Sequence, residues 1–69
     1  MRINLDKFMG RRPVLIGVVT GVRFYEHPTR GDEAGMIAVY NGEAVSTDWY
    51  DLPEPGDFGT ADDFMRLYR

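Results

Sequence analysis

The sequence predicts a small α+β domain: a three-stranded antiparallel sheet, a carboxy-terminal helix packed on one face, and a short helix or strand at the amino terminus. Three observations carry that prediction. Asn41-Gly42 sits between two partly apolar runs, a β-branched and aromatic run covers residues 14–25, and an apolar stripe follows Thr60 at helical spacing. Asn-Gly is the strongest short hairpin signal, because a two-residue turn of the favoured hand needs φ > 0 at both central positions. The turn fixes a register that sets Tyr40 against Glu43, Ala38 against Val45 and Met36 against Thr47.

At the amino terminus, Asn4 is a helix cap, and Leu5, Phe8 and Met9 fall on one side of the turn it starts before Gly10 releases the chain. A short strand is an alternative there. Arg11 and Arg12 precede Pro13, which biases Arg12 towards an extended backbone. Residues 14–25 read as the longest strand, with Val14, Ile16, Val18, Val22 and Phe24 on one face and Leu15, Val19 and Tyr25 on the other. Gly17 and Gly21 lie on that second face, so the strand is expected to bulge, bend or break, most of all near Gly21.

Residues 26–35 form a polar loop of about ten residues, a length at which binding residues often gather. Its Arg30-Gly31-Asp32 matches an adhesion tripeptide, and His27 with Glu26, Asp32 and Glu33 has the donors for a divalent metal. One histidine without fixed spacing to the acids does not define a metal site, and the expectation is a loop ordered by its own polar contacts. No cofactor or metal is expected.

After the hairpin, residues 49–59 hold two prolines and cannot continue a central strand. Trp49, Tyr50 and Phe58 there either close one end of the core or anchor a partner. Thr60 caps the last helix, with Asp62 and Asp63 at its positive end and Phe64, Leu67 and Tyr68 as the apolar stripe. The helix is expected to dock across the face carrying Val14, Ile16, Val18 and one side of the hairpin. The hairpin is apolar on both faces, with Ile37, Val39 and Ala44 on one and Met36, Ala38, Tyr40 and Val45 on the other, which Trp49 is a candidate to join. One helix cannot cover both, so the second face should meet the amino-terminal segment, a second copy in a homodimer, or another protein.

Composition narrows the function classes. The 69 residues make a single domain and include no cysteine, which removes disulfides and thiolate chemistry. No apolar run approaches the roughly 20 residues of a membrane span. Arg2, Asp6, Lys7, Arg11 and Arg12 interrupt any secretory leader, and a cytoplasmic protein is expected. Charge is divided: residues 1–30 carry six Lys/Arg against two Asp/Glu, whereas residues 31–69 carry two against nine. The acidic half favours encounter with a basic protein surface over a phosphate backbone. No phosphate-cradling loop, zinc motif or nucleophile–base pair is present, so an enzyme is not expected.

Phe24-Tyr25-Glu26-His27-Pro28, Gly31-Asp32-Glu33-Ala34 and Trp49-Tyr50-Asp51-Leu52-Pro53 together resemble a group of small, mostly uncharacterised phage and prophage proteins. The resemblance covers residues 24–53 and implies no catalytic residues. It implies a context that includes inhibitors of host defence, among them anti-CRISPR proteins, several of which are acidic and occupy nucleic-acid-binding surfaces. The expected function is therefore a phage-type, non-enzymatic inhibitor acting in the host cytoplasm on a nucleic-acid-handling host protein, most concretely of a CRISPR system. Asp32, Glu33, Glu43, Asp48, Asp51 and Glu54 would supply charge, and Tyr40, Trp49 and Tyr50 anchoring area. The alternatives are a small structural or accessory phage protein that acts through homo-oligomerisation, and a nucleic-acid binder using Arg2, Lys7, Arg11, Arg12, Arg23 and Arg30; the acidic remainder argues against the last.

Overall fold

The hairpin turns where its sequence places it. Asn41 and Gly42 both take positive φ, 51° and 76°, and join β4 (Ile37–Tyr40) to β5 (Glu43–Ser46). Tyr40 faces Glu43 and Ala38 faces Val45, as the turn dictates. Thr47 N donates to Met36 O at 3.0 Å and Met36 N to Trp49 O at 2.8 Å, so the pairing runs on past the regular strands. The computed structural model describes residues 1–28 and 35–69; Arg30-Gly31-Asp32, and with it Asp32 and Glu33 as candidate contacts, lies outside the described residues.

Among the described residues the sheet has five strands, two more than the sequence suggests, in the order β1-β5-β4-β3-β2, all antiparallel. Two differences account for this. Residues 14–25 are not one strand but a second hairpin, β2 (Leu15–Val19) and β3 (Val22–Tyr25), broken at Thr20-Gly21 where φ is 51° and 83°. At the other edge, β1 (Arg2–Ile3) pairs with β5, and Ser46 N reaches Met1 O at 2.9 Å. The amino-terminal segment is thus both a strand and a helix, since α1 (Leu5–Gly10) follows with Asn4 as its cap, accepting from Lys7 N at 2.9 Å. Arg12 is not extended as Pro13 would favour. Its φ is 54°, and it closes α1 by donating from its N–H to Met9 O at 3.1 Å, the left-handed ending that satisfies last-turn carbonyls.

The second hairpin changes which side chains are inside. Across a two-residue turn Val19 faces Val22, so odd positions of β2 share a face with even positions of β3. A bulge between Leu15 and Gly17 shifts the parity once more. Val14, Ile16 and Val18, expected beneath the carboxy-terminal helix, are instead 58%, 44% and 56% exposed. That helix, α2 (Ala61–Tyr68), docks on a cluster of Val19, Val22, Phe24, Met36, Ala38 and Val45. Thr60 caps it, its hydroxyl accepting from Asp63 N at 3.1 Å. The stripe that α2 buries is Ala61, Phe64 and Met65 with Tyr68 at its edge, whereas Leu67 faces water at 74% exposure.

The opposite face of the sheet carries Tyr25, Ile37, Val39 and Ala44, and Phe8 covers it with help from Ile3 and Leu5. Phe8 meets Tyr25 edge-on at 5.5 Å. Of the three covers the doubly apolar hairpin called for, the chain's own amino-terminal segment is the one present, so the hairpin itself leaves no greasy face for a second copy. Exposed apolar side chains gather on and beside β2, at Val14, Leu15, Ile16 and Val18, with others at Met1, Met9, Tyr50, Leu52 and Leu67.

Candidate functional site

The residues that follow β5 form a ledge whose position is set by backbone pairing. Thr47 holds it from two sides: its hydroxyl donates to Met36 O at 2.7 Å and accepts from Trp49 N at 3.3 Å. Trp49 then packs, half-buried, against the α2-side core, while Tyr50 stands 63% exposed beside it. Leu52, 40% exposed, lies over Gly17 of β2, and Pro53 is buried. Beyond it Glu54 N donates to Asp57 Oδ2 at 2.7 Å and Asp57 N to Glu54 O at 3.0 Å, a turn that ends the ledge.

The ledge's outer side is an open groove lined by Asp48, Trp49, Tyr50, Asp51, Leu52 and Tyr68. Residues 48–57 contain four carboxylates and no Lys or Arg. Asp51 and Glu54 enter no ion pair among the described residues, and Asp48 accepts from the Tyr68 hydroxyl at 2.7 Å. Burial, and then the Asp48 carboxylate, push the Tyr68 phenol above its ordinary value, so it stays a donor and keeps Asp48 oriented. The result is a fixed aromatic shelf edged with negative charge, the composition of an anchoring patch with a polar rim.

Four of the expected contact residues, Asp48, Trp49, Tyr50 and Asp51, therefore come together, with Glu54 exposed on the turn beyond them. Leu52 and Tyr68 belong to the same surface and were not among the expected contacts. For Leu52 the signal was its place in the Trp-Tyr-Asp-Leu-Pro run; Tyr68 gave none, because only the docking of α2 brings it beside Asp48. Tyr40 is half-buried and packs on the α2-side cluster instead of standing free.

Glu43 is engaged within the fold. Its carboxylate accepts from Arg69 Nε and Nη2 at 2.8–3.0 Å and pairs with Arg2 Nε at 3.0 Å, and its side chain is only 16% exposed. It ties the end of α2 and strand β1 to β5. The Arg69 hydrogen bonds first, then the Arg69 and Arg2 charges, outweigh burial and hold Glu43 below the ordinary glutamate value. A depressed carboxylate contributes stability that is present above its ordinary value and is lost as pH falls through the depressed one. Glu43→Gln is accordingly expected to cost about 1 kcal/mol at pH 7, a modest figure because both arginines are partly solvated. Urea denaturation at pH 7 and pH 3 checks this: the gap between the two proteins should narrow in acid, and a constant gap would mean that charge plays no part.

Among the described residues no group of three or more His, Asp or Glu side chains is arranged to hold a metal ion, and no helix is long and apolar enough to cross a membrane. No protein-family model matches the chain, and comparison with curated proteins and with solved structures returned no match.

Proposed function

We propose that this chain is a non-enzymatic binding protein whose ledge of residues 48–52 docks on a basic surface of another protein. The observation that supports the reading best is the pairing of a half-buried Trp49 with a 63% exposed Tyr50 between two carboxylates, on backbone fixed by Thr47 and Met36. A pre-ordered aromatic anchor loses little entropy on binding, and the acidic rim adds encounter rate and selectivity for Lys and Arg. The resemblance of residues 24–53 to phage and prophage proteins supports the further reading that the target is a nucleic-acid-handling protein of host defence and the chain its inhibitor, with a CRISPR effector as the most concrete case.

Capture of a basic nucleic-acid-binding protein from host lysate, followed by titration of the purified pair, tests this. Tyr50→Ala should weaken binding about 30-fold, the size of a hot-spot truncation of roughly 2 kcal/mol. Asp48→Asn with Asp51→Asn should slow association and flatten its dependence on salt. If both variants, shown to be folded by circular dichroism, bind as the wild type does, the ledge is not the contact.

A further inference from the structure

The second surface with something to bind is the outer edge of β2, at the far side of the sheet from β1. We propose that this edge takes up an extended, acidic segment of a partner protein as a sixth strand. The inference concerns a different surface from the aromatic ledge and does not rest on it.

The backbone supplies the first argument. β2 is the last strand of the sheet, and among the described residues nothing pairs with its outer side. Val19 and Val22 flank the two-residue turn and bond to each other, so by the alternation of an antiparallel ladder the Val18 N–H and C=O point away from β3. Edge strands are ordinarily blunted by charge, proline, brevity or a bulge, and of these β2 has only the bulge between Leu15 and Gly17. The opposite edge obeys that rule, since β1 is two residues long and carries Arg2. Residues 14–19 hold no charge and no proline.

Side chains supply the second. On the α1 face of β2, Leu15 and Val18 are 49% and 56% exposed, and Ile16 of the bulge is 44% exposed. On the α2 face Leu52 overhangs Gly17. A strand laid along β2 would set apolar side chains against Leu52 on one face and the methylene stems of longer, charge-tipped side chains against Leu15 and Val18 on the other, side-chain matching that adds specificity to its main-chain bonds.

Charge selects the occupant. Residues 11–28 carry Arg11, Arg12 and Arg23 against Glu26 alone, and none of the three arginines is in an ion pair among the described residues. Arg23 sits directly opposite Val18 on the α1 face, its guanidinium 6.0 Å from the Tyr25 ring centre. A sixth strand would lie about 9.6 Å from β3, two strand spacings, a gap that a glutamate and an arginine span together across Val18. Glutamates of the incoming strand would point to that face and its apolar residues to the Leu52 side. A second copy of this chain fits worse. Pairing β2 with itself sets arginines near arginines, and four half-exposed aliphatic side chains offer much less than the roughly 800 Å² per partner of a stable interface.

The test uses the full chain, isotope-labelled, titrated with a blocked heptapeptide of alternating valine and glutamate and with its valine–lysine counterpart. The glutamate peptide is expected to shift the amide resonances of Leu15 and Val18, to slow their hydrogen exchange, and to bind at least tenfold more tightly than the lysine peptide. Val18→Pro, which removes the outward N–H, should weaken binding tenfold or more. Arg11→Glu with Arg23→Glu, changes at two exposed positions, should reverse the preference between the peptides even if the proline variant proves poorly folded. Tyr50→Ala should change none of this. The proposal is overturned if neither peptide moves the β2 resonances, if both bind equally, if an unrelated oligonucleotide binds the edge more tightly than the glutamate peptide, or if sedimentation shows a dimer that the Val18→Pro change abolishes.

Discussion

Phe64→Ala is expected to lower the unfolding free energy by about 4 kcal/mol, the range for a fully buried phenylalanine truncated in a core that closes only partly around the gap. Phe64 is 1% exposed. It is also the residue on which the α2-side cluster converges, with ring centres of Phe58, Tyr68 and Phe24 at 4.6, 5.2 and 5.4 Å. A chain of 69 residues has roughly 3–10 kcal/mol of stability in all, at about 0.05–0.15 kcal/mol per residue. The substitution therefore takes a large share of what holds the domain folded. In a thermal melt the midpoint should fall by about 20 °C. Leu67→Ala on the same helix should stay within about 0.5 kcal/mol of the wild type, since that side chain is in water. Equal effects at the two positions would mean that α2 is rotated about its axis from the placement described.

That contrast also marks where the amino-acid order is informative. Caps and tight turns are local chemistry, so Asn4, Thr60 and Asn41-Gly42 act as their residue types require, and the hairpin register and its two faces follow. The face of α2 was harder. Phe64 and Tyr68 are flanked by Met65 on one side and Leu67 on the other, and both choices give an apolar stripe. Ala61 decides, because it extends the series Ala61, Phe64, Met65, Tyr68 by a full turn. The β-rich run of residues 14–25 misleads for a different reason: Thr20 is an unusual residue at positive φ, and without the turn the alternation assigns Val14, Ile16 and Val18 to the core. β1 leaves no pattern because two residues have no period, and it exists through its pairing with β5. The ledge is legible as composition, four carboxylates around a Trp-Tyr pair, but Glu43 looks the same in the sequence. What separates them is distance in the fold: Arg2 and Arg69 arrive from the two ends of the chain and occupy Glu43, while among the described residues no cation pairs with Asp51.

Gly35→Ala is the other large expected effect, about 3 kcal/mol, and it ties the core to the ledge. A Cβ at Gly35 would lie 1.9 Å from Thr47 O, 2.6 Å from its carbonyl carbon and 2.9 Å from Asp48 Cα. These are backbone atoms, so no rotamer change relieves the overlap. Residues 35 and 36 must part from residues 47–49, which stretches the Met36–Trp49 and Thr47–Met36 hydrogen bonds at 2.8 and 3.0 Å. Forced overpacking of this kind costs 1–3 kcal/mol, and the bonds lost with it bring the total to the upper end. Gly17→Ala is the informative contrast. Its Cβ would approach Leu52 Cδ2 to 2.7 Å, but that is the tip of a side chain 40% exposed, which swings outward at a cost of about 1 kcal/mol or less. Because the strained pair in Gly35→Ala is the one that fixes Trp49, the variant should also show faster hydrogen exchange at the Met36 and Thr47 amides and a red-shifted Trp49 emission while still folded. Partner binding through the ledge should then weaken by more than the unfolded fraction explains. A Gly35→Ala protein as stable as the wild type, with those amides still protected, would show that the backbone of residues 35 and 36 stands farther from Thr47 than described, and the ledge would lose its claim to be rigid.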